Sequence, residues 1–403
     1  MTPPTSPSPH IHRSSPDYWR ANLALFFAGF VTFSSLYCLQ PLLPNLVTEF
    51  SISPARASLS LSLTTLALAA ALPVAGSLSD ALGRRRLIGT AMLLASLMAL
   101  ACLWLPSLAG LLTLRLLQGL VLAGIPAIAM AYLSEEMAPA VVGGAMGLYI
   151  AGNAIGGMTG RILTAWLADW LPWREAVATI GLIGLLLTLA FWWLLPPSRR
   201  FCRRALAIGP LSRSLLSHLR QLPLLCLFVM AFCCMGAFIC LYNYISFRLL
   251  APPFNLSQSQ VALIFVSYAF GAFGSRQIGR LGDRWGRAAL LYAALLLMAL
   301  GALATLARPL PLVATGIIVL TIGFFGAHTT ASTWVGQLAG NARAQASALY
   351  LLFYYLGSSI AGTLGGVFFA RWHWPGVIGL ILLQLMLATA SCLLLGRLLH
   401  HCD

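Results

Sequence analysis

The chain contains no lysine and only nine acidic residues in 403, so its 24 basic groups are all arginines and charged residues make up 8% of it. Such scarcity of charge excludes a soluble domain. A chain that is 60% hydrophobic cannot hide that much apolar surface behind so few polar groups. None of the acids stands in the centre of a hydrophobic run: Asp17, Glu49, Asp80, Glu135, Glu136, Asp169, Glu175, Asp283 and Asp403 all lie at or near run ends. No cluster of Asp, Glu and His therefore stands ready for metal or acid–base chemistry, which argues against a membrane-embedded enzyme. The nine cysteines are odd in number and form no CxxC pair, so they read as small buried hydrophobes and not as a disulfide framework or zinc site. There is no Walker loop for an ATP-driven pump and nothing like the filter of a channel.

What the sequence does have is length without charge. Cutting it at every Asp, Glu and Arg leaves twelve uncharged runs of at least 19 residues, roughly what a helix needs to cross about 30 Å of hydrocarbon. The expected fold class is all-α integral membrane, with twelve transmembrane helices. The third and fourth divide best at the turn LPSLAG, residues 105–110, which leaves Arg115 inside the fourth. The opening stretch MTPPTSPSPHIHRSSP has no apolar core and reads as a disordered tail, not a cleaved signal peptide. The expected organisation is a tail over 1–19, a six-helix bundle over 20–198, a basic linker over 199–220, a second six-helix bundle over 221–397 and a tail over 398–403. With the N-terminus in the cytoplasm, 17 of the 24 arginines fall in cytoplasmic segments, so the positive-inside bias puts both termini there. The net charge of +15 is then topological. It implies contact with anionic lipid headgroups and no nucleic acid. The remaining expectations are a small-molecule solute as partner, a monomeric protein, and no cofactor beyond a proton gradient.

The segment GSLSDALGRRR, residues 76–86, returns as GRLGDRWGRAA at 279–289, with Gly76, Asp80, Gly83 and Arg84 mapping onto Gly279, Asp283, Gly286 and Arg287 at a constant offset of 203. GLYIAGNAIGGMTGR (147–161) aligns with ALYLLFYYLGSSIAG (348–362) at an offset of 201. The chain reads as a duplicated six-helix unit. From Arg20 to Arg397 it resembles the major facilitator superfamily (MFS), whose signature loop follows the pattern G-x-x-x-D-x-x-G-R-R. The stretches LYCLQPLLP (36–44), 147–161 and FRLLAPPFNLSQ (247–258) are similar to YnfM-type bacterial inner-membrane transport proteins, a group reaching toward arabinose-efflux-like and drug-efflux permeases. The resemblance implies the MFS fold and a secondary active transporter working by alternating access. It favours proton-coupled efflux over uptake or facilitated diffusion.

Candidate residues follow from both lines of reading. In the repeated loop the glycines permit a tight turn, and Asp80 or Asp283 can accept hydrogen bonds at a neighbouring helix start or pair with an arginine. The resemblance implies a conformational latch made of Gly76, Asp80, Gly83 and Arg84 and of Gly279, Asp283, Gly286 and Arg287. A charge inside a span is a functional candidate by default. Arg115 and Gln118 lie three apart on one helical face, in RLLQG, which is similar to a family motif whose arginine is tied to proton coupling. Arg161 follows Gly152, Gly156, Gly157 and Gly160, a stripe that close helix packing explains. The family's antiporters carry G-P-x-x-G-G here; this chain has Asn153 in place of the proline. His328 is the mid-span histidine, with a titration range suited to a proton site. The family architecture nominates Tyr37, Gln40, Tyr242 and Asn243 beside Arg115, Gln118 and His328 as cavity residues, with Glu135 and Glu136 as helix-end or gate contacts. Replacing Asp80 with Asn is expected to lower solute flux in membrane vesicles without lowering the protein's abundance there; unchanged flux would remove the latch.

Overall fold

A computed structural model describes residues 10–200, 217–271, 273–274, 286–339 and 343–400. Gly279 and Asp283 lie outside the described residues, as do the side-chain positions of Gly76 and Asp80, and most of the basic linker. Among the described residues the chain is helical, with ten stretches long and apolar enough to cross a membrane.

Helix α1, Pro16–Tyr37, starts where Ser15 accepts a hydrogen bond from the Asp17 N–H and Pro16 occupies the first helical position, the usual chemistry of a helix start. It breaks at Cys38, and the chain continues through a 3-10 turn, Gln40–Leu42, into α2, Leu43–Phe50. Pro41 explains the break, since it lacks the N–H that would bond the Tyr37 carbonyl. Then come α3 (Pro54–Leu82), α4 (Arg84–Ala101), α5 (Leu108–Leu122), α6 (Gly124–Glu136), α7 (Pro139–Leu167) and α8 (Trp173–Leu194). After the linker come α9 (Leu222–Leu250), α10 (Gln258–Ala262), α11 (Arg287–Ala304), α12 (Leu310–Leu338) and α13 (Arg343–His400). A straight helix of 58 residues would be about 87 Å long, nearly three times the hydrocarbon thickness. It folds instead at His373 (φ 52°, ψ −148°), two residues before Pro375, into arms 343–372 and 374–400. Residues 267–271 are helical beyond α10, where the eighth crossing is expected. The apolar helices thus number ten to twelve, depending on how these two regions are divided.

The sequence repeat reappears as packing. Along α1 and α7, a Cβ added to Gly156 would strike the backbone carbonyl of Phe30; along α9 and α13, a Cβ on Gly357 would strike that of Phe232. These pairs are offset by 201 and 202 residues, so both crossings bring backbones together at the same place. Gly83 (φ 96°) and Gly286 (φ 78°), offset by 203, each precede a new helix with a dihedral that L side chains avoid.

One end of the bundle carries the chain start, the α3–α4 turn and the end of α8. There the Ile11 N–H donates to the Glu136 carbonyl (2.8 Å), and Arg84 forks onto Glu135 at 2.7 and 3.2 Å. Arg199 meets Asp17 at 3.1 Å, and a carboxylate oxygen of Glu136 accepts from the Arg200 N–H at 2.9 Å. Glu135 and Glu136 are thus helix-end contacts. At the far end, Glu49 pairs with Arg174 and Trp173, and Arg248 donates to carbonyls of Thr305, Leu306 and Ala307. Replacing Gly156 with Val should force α1 and α7 apart and cost about 1–3 kcal/mol of stability. The seven described cysteines are all buried, so thermal unfolding followed by a thiol-reactive dye in detergent would report this as a lowered Tm.

Candidate solute site between the two helix sets

The two intramembrane arginines that stand out in the sequence go to different places. Arg115, on α5, is buried among α1, α3 and α5. Its Nε donates to the Ser60 carbonyl (2.9 Å), Nη1 to the Ser35 carbonyl (2.8 Å) and the Gln118 side-chain oxygen (2.5 Å), and Nη2 to the Leu36 carbonyl (2.6 Å). Ser35 and Leu36 belong to the last turn of α1, whose carbonyls lose their helical donors at the break. Arg115 replaces those donors with a positive charge at the negative end of the helix dipole. Gln118 in turn donates to the Ala95 carbonyl of α4 (2.9 Å). The pair therefore lies inside the packing of α1–α8, tying α1, α3, α4 and α5 together, and not on the face that meets α9 to α13.

Arg161, on α7, sits at that junction. Its Nε donates to the Gln40 side-chain oxygen (2.5 Å) and Nη1 to the Gly157 carbonyl (2.6 Å). The guanidinium carbon stands 4.1 Å from the ring centre of Tyr37, 4.8 Å from that of Tyr268 and 5.5 Å from that of Phe265. Arg161 is 1% exposed, and among the described residues no carboxylate forms an ion pair with it. Gln40 passes the chain of bonds onward, its Nε2 donating to the Asn243 oxygen at 2.7 Å. Gln40 and Asn243 are separated by 203 residues, the same offset as the repeated loops. Gln40 lies just past α1 and Asn243 lies on α9, the helices the repeat relates, so this bond joins the two helix sets where repeat-related elements meet.

Tyr242, the neighbour of Asn243, turns away to bond Ser267 and Thr321 (2.7 Å to the latter) and backs the rings of Phe265 and Tyr268 from 5.6 and 5.1 Å. Asn153 lies against Gly29 of α1, two turns along α7 from Arg161. His328, on α12, shares a hydrogen bond of 3.0 Å with the Tyr350 hydroxyl and has the Tyr354 ring 4.9 Å away. These three side chains pack together with Phe324 and Cys234, leaving no room for a water molecule between them. A line of rings joins His328 to Arg161: Phe324 lies 6.0 Å from His328, Phe238 3.8 Å from Phe324 and Tyr268 5.4 Å from Phe238.

Toward the far end the two helix sets meet through hydroxyls and amides. Thr65 and Ser359 share a bond of 2.7 Å, Thr363 donates to Ser62 at 2.9 Å, and Gln258 donates to Asn45 at 2.8 Å. The Asp169 carboxylate, in the turn between α7 and α8, accepts the N–H groups of Gln258 and Ser259 at 3.0 Å each, as well as the Ser259 hydroxyl. A negative charge thereby caps the start of α10 from the other helix set.

The helical stretches, the repeated crossings and the polar junction between two helix sets define a recognisable family. The chain matches the profile of the Major Facilitator Superfamily over residues 25–250 and 227–400. The chain belongs to the major facilitator superfamily. It is 46% identical to the MFS-type transporter YybF of Bacillus subtilis (strain 168), with 94% of each chain covered, and 44% identical to the inner membrane transport protein YnfM of Escherichia coli (strain K12), covering 98% of this chain and 94% of YnfM. Among solved structures, a bacterial homologue of the human lysosomal transporter Spinster, inward-facing and unoccupied, superposes with a TM-score of 0.79 at 17% identity, covering 95% of this chain and 98% of the other. This superfamily member is a multi-pass membrane protein of a transporter family and not an enzyme.

The sequence nominated Tyr37, Gln40, Arg161 and Asn243, and the structure brings them together. It places Arg115 and Gln118 apart from them, and His328 at the end of the aromatic line. Tyr268, Tyr350, Tyr354 and Phe265 went unremarked, because a ring in an apolar run looks like packing; the repeat could have flagged Tyr354, which aligns with Asn153 at the offset of 201. Asp169 also went unremarked. Burial pushes its carboxyl up, but hydrogen bonds from Ser259 and Gln258 outweigh that and hold it below the usual value of 3.8. The contact is thus made above pH 3.8 and lost only as the pH falls through the lowered pKa. Between pH 5 and 8 Asp169 should cause no pH dependence. Asp169→Asn should weaken this contact between the two helix sets by roughly two- to fivefold, as expected for an exposed charge contact. Distances between spin labels at Thr48 and Ala251 would show it.

Proposed function

We propose that this superfamily member is a secondary active transporter that carries a small organic solute across the bacterial inner membrane by alternating access. In this reading two six-helix halves, residues 20–198 and 221–397, rock about the Arg161–Gln40–Asn243 chain. The observation that carries the reading is the bond between Gln40 and Asn243: a polar relay from a buried arginine, at a junction between repeat-related elements to which both halves contribute. Superfamily architecture puts solute sites at such a repeat interface near the membrane midplane. The arginine distribution supports cytoplasmic termini, which makes the far end periplasmic. The hydroxyl and amide contacts there then correspond to an inward-facing state, closed to the outside.

Proton-coupled efflux is the direction favoured by likeness to YnfM-type proteins, with His328 and Tyr350 as the titratable pair. Facilitated diffusion or uptake is the second reading, favoured by the sequence's lack of any carboxylate at a span centre. Inside-out vesicles energised by respiration and carrying a pH-reporting dye separate the readings. Challenged with sugars, aromatic acids, amino acids and cationic drugs, vesicles with the intact protein are expected to lose their gradient to at least one solute class, and vesicles with His328→Phe are not. Flux of a labelled solute with no proton movement would replace efflux by facilitated diffusion.

A further inference from the structure

Among the described residues, Arg161 is a buried cation without an anion. A guanidinium has five N–H donors, and bonds to Gln40 and Gly157 use two of them. Its other close neighbours are the faces of three aromatic rings, two of them from the second helix set. Rings stabilise a cation, but they do not neutralise it or accept in-plane hydrogen bonds from its fork. Contrast Arg115, equally buried, whose four bonds all end on oxygen atoms inside one helix set.

The surrounding polar atoms point the same way. Among the described residues, the Tyr268 hydroxyl and the Asn243 Nδ2 are buried with no hydrogen-bond partner. Tyr268 shares its ring with Arg161, and Asn243 is joined to it through Gln40. Both unfilled groups can donate, as can the rest of the Arg161 fork. Buried donors normally find acceptors, so this arrangement lacks an acceptor-rich, negatively charged group. Beside it runs a line of rings from Tyr268 through Phe238 and Phe324 to His328, an aromatic environment matched to a flat apolar body, with Tyr354 flanking Phe324 and the Tyr350 hydroxyl at its end.

We infer that the solute is a small organic monoanion, an aromatic carboxylate, whose carboxylate is held by Arg161 with Tyr268 and Asn243 and whose ring lies toward Tyr354. The inference rests on the transporter reading and names the substrate class of the same site. The carboxylate supplies the missing counter-charge while contacting both helix sets at once, so binding and closure around it are one event.

The test uses the full-length protein in detergent and three labelled probes: benzoate, 4-hydroxybenzoate and 3-phenylpropionate. At least one is expected to bind and raise the Tm. Its neutral amide should bind at least tenfold more weakly, and the corresponding amine should not bind. Arg161→Gln is expected to reduce carboxylate affinity at least tenfold while leaving the Tm of the empty protein unchanged or higher, since it removes an uncompensated charge. Tyr268→Phe, which keeps the ring, should weaken binding several-fold and serves if Arg161→Gln does not fold. Binding of none of the three carboxylates, equal binding of acid and amide, or binding indifferent to both substitutions would overturn the assignment. Flux in proteoliposomes separates it from the transporter reading. A carboxylate that binds through Arg161 but crosses in neither direction refutes transport and keeps the site, whereas Arg161-independent flux keeps transport and refutes the site.

Discussion

The structure turns on how to bury a guanidinium in a membrane protein whose nine acids all lie at or near the ends of its hydrophobic runs. A charge in that setting costs several kcal/mol unless it is paired or hydrated, and the chain meets the cost twice by different means. Two of the four oxygens that satisfy Arg115, the Ser35 and Leu36 carbonyls, are free of helical donors because α1 ends before Pro41. The break in α1 and the arginine on α5 therefore depend on each other: the helix end needs a donor and the cation needs acceptors. The same break turns the chain so that Gln40, just past it, reaches both Arg161 and Asn243. One proline thus fixes a structural arginine on one side and positions the amide that holds the second arginine on the other.

Close backbone approach allows these bonds to form. Gly156 against Phe30 and Gly357 against Phe232 bring α1 to α7 and α9 to α13 without intervening side chains. In a membrane, where lipid is as apolar as leucine, such packing and interhelical hydrogen bonding replace the hydrophobic effect as the source of helix association. Arg161 stands four residues beyond Gly157 and inherits its position from the α1–α7 crossing. The site's geometry is thereby tied to the most intimate contact in the first helix set.

Much of this was legible in the sequence. Spans, repeat and family follow from uncharged runs and from two loops at a constant offset, because membrane thickness and gene duplication leave periodic traces. Of the candidate site, Tyr37, Gln40, Arg161 and Asn243 were legible as polar residues in apolar surroundings. Arg115 illustrates the limit: its motif and three-residue spacing to Gln118 are the same whether the pair faces a cavity or the interior of a bundle. Only the break in α1, which sets where free carbonyls lie, decides between them. The tyrosines of the site were hidden for the opposite reason, since nothing in a run such as LYLLFYYLG distinguishes a ring that packs from one that receives a solute.

The distribution of charge between bonds has a mechanical consequence. Among the described residues, the Arg–carboxylate contacts all join elements of the first helix set: Asp17 with Arg20 and Arg199, Arg84 with Glu135, and Arg174 with Glu49. Among the described residues, the bonds between sets are neutral exchanges between hydroxyls and amides, with Asp169 as a charged exception at the exposed far end. A neutral hydrogen bond is worth only about 0.5–1.5 kcal/mol net, because water can take either partner's place, whereas charge-assisted bonds are roughly twice as strong. Opening the far end would therefore replace Thr65–Ser359 and Thr363–Ser62 with water at little net cost, while the first set keeps its shape. The packing is thus asymmetric: the ion pairs lie inside the first helix set, and the bonds along the junction between the sets are ones that water can replace.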